Sequence, residues 1–341
     1  MAKKRVTSIQ VAKLAGVSQS AVSRVFTPGA SVGKAARIRV HEAAKELGYR
    51  PNVLARSLIT GRSRMIGLVV AYLDNYFYAE AVEKLSTELQ QKGYHVLVFM
   101  VSKTLQGIDK VVHEILDYQV DGIIFASVSM SSDLTARCAE AGIPAVLFNR
   151  AQDDSRLSSV TADNISGGKK VASFLVAGGH KRISYIAGWE GASTQRDREK
   201  GFVDELRSHG LELYARGVGN FNSDEARRAA RNMFGNNEKP DAVFVASDAM
   251  AFTVMDVLRY ELNLNVPEDV SVVGYDDVAI SSWPAYDLTS VRSPINRMVD
   301  ETISILMDFI EGKTNEHRCI EIDGPLVLRK SARISDRGSK R

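Results

Sequence analysis

Two groups of side chains in this 341-residue sequence have types and spacings suited to chemistry. The first lies near the N-terminus, where Gln19, Ser20, Ser23 and Arg24 fall on the polar side of a short helical stretch whose inner side carries Val22 and Val25. An arginine fork matches guanine O6/N7 and a carboxamide matches adenine N6/N7, so such a row suits base edges in a major groove. The second group follows apolar, β-branched runs: Asp74 and Asn75, Asn149 and Arg150, Asp248, and Asp276 and Asp277. Aromatics stand close by in sequence, at Tyr72, Tyr76, Phe77, Tyr78, Phe221, Trp283 and Tyr286. Short polar groups with aromatic plates suit a small, hydroxyl-rich molecule, whose rim takes hydrogen bonds and whose ring face takes an apolar surface. Asp163 reads instead as a helix N-cap.

Catalytic patterns are weak by comparison. Ser166-Gly167-Gly168-Lys169 satisfies a bare S-x-x-K, but without S-D-N or K-T-G companions it reads as a helix turn. Cys138 and Cys319 stand far apart without metal-ligand spacing, which argues against a disulfide framework or a zinc module, and the six histidines are scattered. No catalytic residue, metal ligand or cofactor is expected.

The elements that must position these groups are legible. Thr7 and Gln10 have capping-box spacing ahead of Ile9, Ala12 and Ala15; Gly16 ends that helix and Ser18 opens the next. A third amphipathic stretch, Lys34 to Leu47, presents Ala36, Val40, Ala43 and Leu47 and stops at Gly48 ahead of Pro51. Helix, glycine turn and helix is a helix-turn-helix layout. Residues 52–58 then form a helix-prone heptamer, too short to hold alone in water, followed by Gly61-Arg62-Ser63. It suits a hinge that folds on binding DNA, with Leu54 or Leu58 wedged into a minor groove.

From Met65 onward, strand-like runs alternate with amphipathic helices, the pattern of parallel α/β layers. Strands are expected at Ile66–Tyr72, His95–Met100, Gly122–Ala126, Ala145–Phe148, Ile183–Ala187, Ala242–Ala246 and Ser271–Gly274. Helices are expected at Ala79–Lys92, Ile108–Tyr118, Leu134–Ala141, Ser166–Ala177, Arg196–Ser208, Ser223–Phe234, Met250–Glu261 and Asn296–Glu311. The series breaks near Asp163 into two halves of similar size.

Charge separates the same two regions. Residues 1–64 hold thirteen Lys and Arg against two acids, a balance of +11 within a net charge of +3, so the remainder is mildly acidic. A basic head on an acidic body points to a polyanion partner for the head alone. The longest apolar run, Met65–Leu73, is too short for a membrane helix, and no apolar segment follows the basic Met1–Arg5 as a secretion signal would require. The expectation is a cytoplasmic protein.

Val6 to Leu58 resembles the DNA-binding head and hinge of the lac repressor/galactose repressor family. The resemblance rests on Ala15-Gly16-Val17-Ser18, Ala21-Val22-Ser23-Arg24-Val25, Glu46-Leu47-Gly48-Tyr49-Arg50-Pro51-Asn52 and Ala55-Arg56-Ser57-Leu58. It continues through Val120-Asp121-Gly122, Gly142-Ile143-Pro144, Gly179-His180-Lys181-Arg182, Arg198 with Gly201-Phe202, and Val266 to Asp277. It implies an all-α head (1–50), a hinge helix and linker (51–64) and a two-lobed α/β regulatory domain like a periplasmic sugar-binding protein (65–341). Lobe 1 would take about 65–162 and 294–323, and lobe 2 about 163–291 and 325–334. It also implies DNA contacts from Thr7, Ser18, Gln19, Ser20, Ser23, Arg24, Asn52, Ala55 and Leu58. Effector contacts would come from Tyr76, Phe77, Asn149, Arg198, Phe221, Asp248 and Asp276. The expected protein is a homodimeric, ligand-responsive regulator, with a pseudo-palindromic DNA operator and a sugar-like effector as partners. Departures are Gly33 where the family usually has a Ser cap, Ala36 for Thr, and Asn149-Arg150 where Asp-Arg is common. The rival readings are a solute-binding protein without DNA function and a sugar-modifying enzyme.

Overall fold

In the computed structural model, residues 6–26, 30–50, 62–71, 73, 75–101, 105–128, 132–152, 154 and 156–333 are described. The chain divides into two units, Met1–Ser63 and Arg64–Arg341.

In the first unit, α1 (Ser8–Ala15) begins with the Thr7 N–H donating to Gln10 Oε1 at 2.9 Å, one half of the expected capping box. Gly16 closes the helix at φ +64°, the left-handed region that glycine enters without steric cost. Ser18 Oγ accepts the Ala21 N–H at 3.2 Å and starts α2 (Gln19–Val25). Helix α3 (Lys34–Leu47) starts on Gly33, which supplies no side-chain cap, and ends at Gly48. The three helices enclose Val11, Ala12, Ala15, Val22, Val25, Val40, Ala43 and Ala44. Ile9 departs from the expected stripe and is exposed: α1 turns its Val11–Ala12–Ala15 face inward, and Ile9 lies off that face.

The second unit contains two six-stranded sheets. The first has the order β11 (Cys319–Ile322), β5 (Ser158–Ala162), β4 (Ala145–Phe148), β3 (Gly122–Ala126), β1 (Met65–Val70), β2 (His95–Met100), every pair parallel. The second runs β12 (Leu326–Val327), β10 (Thr289–Arg292), β9 (Ser271–Asp276), β8 (Ala242–Val245), β6 (Ile183–Ala187), β7 (Ala215–Val218), with only β12 antiparallel. The chain passes between the sheets three times, after Ala162, after Arg292 and after Ile322.

Strands β5, β7 and β10 escape the apolar-run reading because their sequences, SSVTA, ARGV and TSVR, are rich in polar residues. Ser158, Thr289 and Ser290 are nonetheless buried, since each hydroxyl has a protein partner: Arg318 N–H at 3.1 Å, the Arg329 carbonyl at 2.9 Å and Asp248 at 2.6 Å, respectively.

Helices start earlier than their apolar periodicity indicates. Asn75 caps α4 (Tyr76–Gln91) by accepting the Phe77 N–H at 3.0 Å. Asp163 caps α7 (Asn164–Ala177) by accepting the Ser166 N–H at 2.9 Å. Between them lie α5 (Leu105–Asp117) and α6 (Ser132–Glu140). Beyond α7 come α8 (Ser193–Ser208), α9 (Ser223–Phe234), α10 (Asp248–Asp256) and α11 (Ile295–Ile310). The Ser166 hydroxyl donates to Asp323 at 3.0 Å, and α10 runs into a π-turn at Val257–Glu261.

Candidate functional site

On the head, α2 buries Val22 and Val25 and exposes Gln19, Ser20, Ser23 and Arg24 on its outer side. The start of α2 is tied locally: Gln19 Nε2 donates to Ser8 Oγ at 3.2 Å, and Ser18 and Ser20 share a hydroxyl bond of 2.9 Å. Arg39 Nε holds the Ala15 carbonyl at 3.1 Å, anchoring α3 beside the turn. The turn between α1 and α2 is therefore fixed from both sides, which makes the outer face of α2 a rigid display of donors and acceptors. Thr7 is exposed at the start of α1. Asn52, Ala55 and Leu58, with the rest of the expected hinge helix, lie outside the described residues.

In the body, eight residues line a cavity between the two lobes, beyond the carboxyl ends of the parallel strands, where open α/β sheets place ligands. Asn75, Tyr78, Asn149 and Arg150 come from the first lobe; Thr194, Arg198, Phe221 and Asp276 come from the second. Two bonds bridge the lobes at its edge: Arg150 Nη1 to Thr194 Oγ1 at 2.8 Å, and the Ala151 N–H to Ser193 Oγ at 2.9 Å. The free space is about 10 Å³, one water's worth, so a sugar-sized guest needs the lobes to part.

Arg198 is the cavity's structural centre. Its guanidinium donates to Asn164 Oδ1 at 2.9 Å, to the Ala246 carbonyl at 2.6 Å and to Asp276 Oδ1 at 3.3 Å, and it lies 3.6 Å from the centroid of the Tyr275 ring. One planar fork thus joins α7, α8, β9 and the end of β8, which lysine could not reproduce. Burial raises the Asp276 carboxyl to about 6, against the opposing pull of Arg198 and the Ser293 hydroxyl.

The backbone is strained where it presents these groups. Asn149, Phe221 and Asp276 have φ values of +57°, +52° and +116°. Phe221 is placed by Gly188, where an added Cβ would sit 2.2 Å from the ring.

The profile described as "Bacterial regulatory proteins, lacI family" matches residues 9–52, and "Periplasmic binding protein-like domain" matches 172–332. The HTH-type transcriptional regulator CelR of Thermobifida fusca is 34 % identical over 343 residues, covering 96 % of this chain and 99 % of that protein. The chain belongs to the lacI family of bacterial regulatory proteins. A CelR–cellobiose complex is similar at 32 % identity and a TM-score of 0.73, covering 96 % of this chain and 100 % of that one. A lac repressor dimer bound to operator and the anti-inducer ONPF is similar at 28 % identity and a TM-score of 0.87, covering 96 % and 99 %. This lacI-family chain is a DNA-binding transcriptional regulator.

Of the effector residues expected for this lacI-family regulator, Asn149, Arg198, Phe221 and Asp276 line the cavity. Three are placed elsewhere. Phe77 is buried in the first lobe, stacked on Phe148 with ring centroids 6.1 Å apart. Tyr76 is exposed on a separate open groove of about 830 Å³, shared with Glu80, Lys84, Ile280 and Asp300. That groove is wide but lacks the buried polar cluster of the cleft. Asp248 is fully buried and spends its carboxylate on the Val278 N–H (3.0 Å) and the Ser281 and Ser290 hydroxyls (each 2.6 Å). It is a fastener of the second lobe, seated where Gly274 leaves room: a Cβ there would lie 2.2 Å from its oxygen.

Four lining residues were not among the expected contacts. Asn75 and Arg150 carried a signal as polar residues following strands, and Tyr78 as a clustered aromatic. Thr194 had none, because the apolar periodicity starts its helix at Arg196.

Burial and the nearby Asp276 charge raise Asp248 to about 7 from 3.8. The folded state therefore keeps a proton that the unfolded chain releases near pH 4, and stability falls as pH rises through 4–7, then levels off. Asp248→Asn removes this titration. Between pH 5 and pH 8, chemical denaturation of wild type should lose on the order of 2 kcal/mol more than the variant. Equal losses would refute the assignment.

Proposed function

We propose that this protein is a ligand-controlled repressor acting as a homodimer in the cytoplasm, without catalytic activity. Residues 1–50 read the operator, 51–64 form the hinge and 65–341 bind the effector. Each head sets α2 into one half-site of a pseudo-palindromic operator, using Gln19, Ser20, Ser23 and Arg24, with Thr7, Ser18 and Asn52 assisting. Ala55 and Leu58 of the paired hinges enter the central minor groove and kink it. A sugar or sugar derivative binds in the cleft against Asn149, Arg198, Phe221 and Asp276, together with Tyr78 and Thr194. Because hinge segments this short are marginally stable alone, a change in lobe spacing is enough to shift the balance between paired and unpaired hinges.

The observation that carries this reading is the pairing, in one chain, of a rigid helix-turn-helix face with a buried arginine-centred cleft between lobes. The relative solved as a cellobiose complex and the one crystallised on operator with an anti-inducer support both halves. Operator selection from random duplexes tests it: a retained consensus with two related half-sites is expected, and no sequence preference over bulk competitor would refute it. On that operator, Arg24→Ala should cost about 1–3 kcal/mol in specific affinity while changing nonspecific affinity less. Equal losses on both would remove Arg24 from base reading.

A further inference from the structure

The cleft has an uneven charge inventory. Among its described lining residues are two guanidinium groups, Arg150 and Arg198, and one carboxylate, Asp276. Arg198 is consumed by Asn164, Ala246, Asp276 and the Tyr275 ring. Arg150 is not. Only 2 % of it is exposed, and its two bonds, to the Asn149 carbonyl and Thr194 Oγ1, both leave from Nη1. Among the described residues its Nε is buried with no hydrogen-bond partner, and Asp276, whose ion pair is with Arg198, feels the Arg150 charge without pairing with it. A buried, unmatched guanidinium N–H costs free energy unless something accepts from it. The Nε–Nη2 edge is the side of the fork that takes a two-oxygen anion in parallel.

The opposite wall has the same polarity. Helix α8, sixteen residues long, starts on Ala192 with no side-chain cap and no acid in its first turn. Thr194 of that first turn lines the cleft. Unsatisfied N–H groups at a helix start favour negative charge. Asn149 supplies a neutral acceptor, its Oδ1 buried without a partner among the described residues, which suits a hydroxyl on the same guest.

We infer that the effector carries an anionic group, a carboxylate or a phosphate ester, seated between the Nε–Nη2 edge of Arg150 and the first turn of α8. This rests on the cleft being the effector site and specifies its ligand as an acidic polyol rather than a neutral sugar. Because Arg150 also bridges to Thr194, the anion acts on the contact that holds the lobes together.

The test uses full-length protein, followed by thermal unfolding during titration with inorganic phosphate, glucose, glucuronate and glucose 6-phosphate. Wild type should show saturable stabilisation by phosphate in the millimolar range, and Arg150→Gln should weaken that apparent affinity at least tenfold. Arg150→Lys should fall between them, because it keeps the charge and loses the fork. Stronger stabilisation by glucuronate than by glucose identifies a carboxylate; stronger stabilisation by glucose 6-phosphate identifies a phosphate ester. Identical phosphate titrations in wild type and Arg150→Gln, or no saturable response, would overturn the inference, as would glucose matching both anions. Operator retention by the same preparations separates the two levels: retained DNA binding with an Arg150-independent anion response sinks this inference alone. Absence of any selected operator sinks the regulator reading itself.

Discussion

Replacing Arg198 with alanine is expected to abolish the effector response and to destabilise the body by about 3–5 kcal/mol, while an isolated operator-binding measurement still detects DNA retention. The stability loss has three sources. Asn164 Oδ1 and the Ala246 carbonyl lose their donor, the Tyr275 ring loses its cation at 3.6 Å, and Asp276 loses its counter-charge inside the protein. The pH profile distinguishes the last source. Asp276 already ionises late, near 6, although Arg198 holds it down; without the arginine it ionises later still. The folded variant therefore keeps losing stability, relative to an unfolded chain ionised near pH 4, at pH values where wild type has levelled off. Denaturation should show a larger difference between wild type and Arg198→Ala at pH 8 than at pH 5. Arg198→Lys should recover part of the stability but not the response, since an ammonium cannot reach three acceptors in one plane. A normal effector response in Arg198→Ala would remove the residue from the site.

Gly201→Ala should cost about 3 kcal/mol or more, against the gain of about 1 kcal/mol that glycine-to-alanine brings in an unconstrained helix. Helices α7 and α8 pack against each other through two glycines. A Cβ on Gly201 would lie 2.1 Å from the Ile165 carbonyl oxygen, and one on Gly168 would lie 2.2 Å from the Arg198 carbonyl oxygen. Both obstacles are backbone, so no rotamer change relieves them and the helices must separate. That separation pulls Asn164 on α7 away from Arg198 on α8, whose bond is 2.9 Å long. A lowered unfolding midpoint together with a weakened effector response is expected. Unchanged or raised stability would show that the crossing tolerates a methyl group, and the account of these glycines would fail.

The two glycines also mark where sequence reading and tertiary structure part. Gly201-Phe202 was legible as part of a family pattern, but the carbonyl that forbids a side chain at position 201 belongs to a residue thirty-six positions away. In the head, the elements followed from neighbours in sequence: Gly16 supplies its own positive φ, and Ser18 caps the helix it precedes. Local chemistry was sufficient there because caps and turns are closed within four residues. The apolar strands were legible for a related reason: a run such as GIIFA in β3 is buried on both faces and has to be continuous.

The cleft was only half legible. Arg198, Asn149, Phe221 and Asp276 line it, while Phe77 stacks on Phe148 away from it and Tyr78 lines it instead. Adjacent helical residues point about 100° apart, so which ring faces the cleft depends on where Asn75 starts the helix. Asp248 stands near the carboxyl end of its strand, as Asn149 and Asp276 do near the ends of theirs. Gly274, Ser281 and Ser290, distant in sequence, turn its carboxylate inward.

The sequence by itself determined the basic head, the helix-turn-helix display of Gln19, Ser20, Ser23 and Arg24, the alternation of strands and helices, and the family. These depend on composition, periodicity and contacts between near neighbours. Only the tertiary structure decided which polar side chains face the cleft and which are spent as fasteners. It alone left the Arg150 Nε buried without a hydrogen-bond partner among the described residues. A side chain's hydrogen-bond balance is set by everything packed around it, and for a residue between two lobes most of those neighbours come from remote parts of the chain.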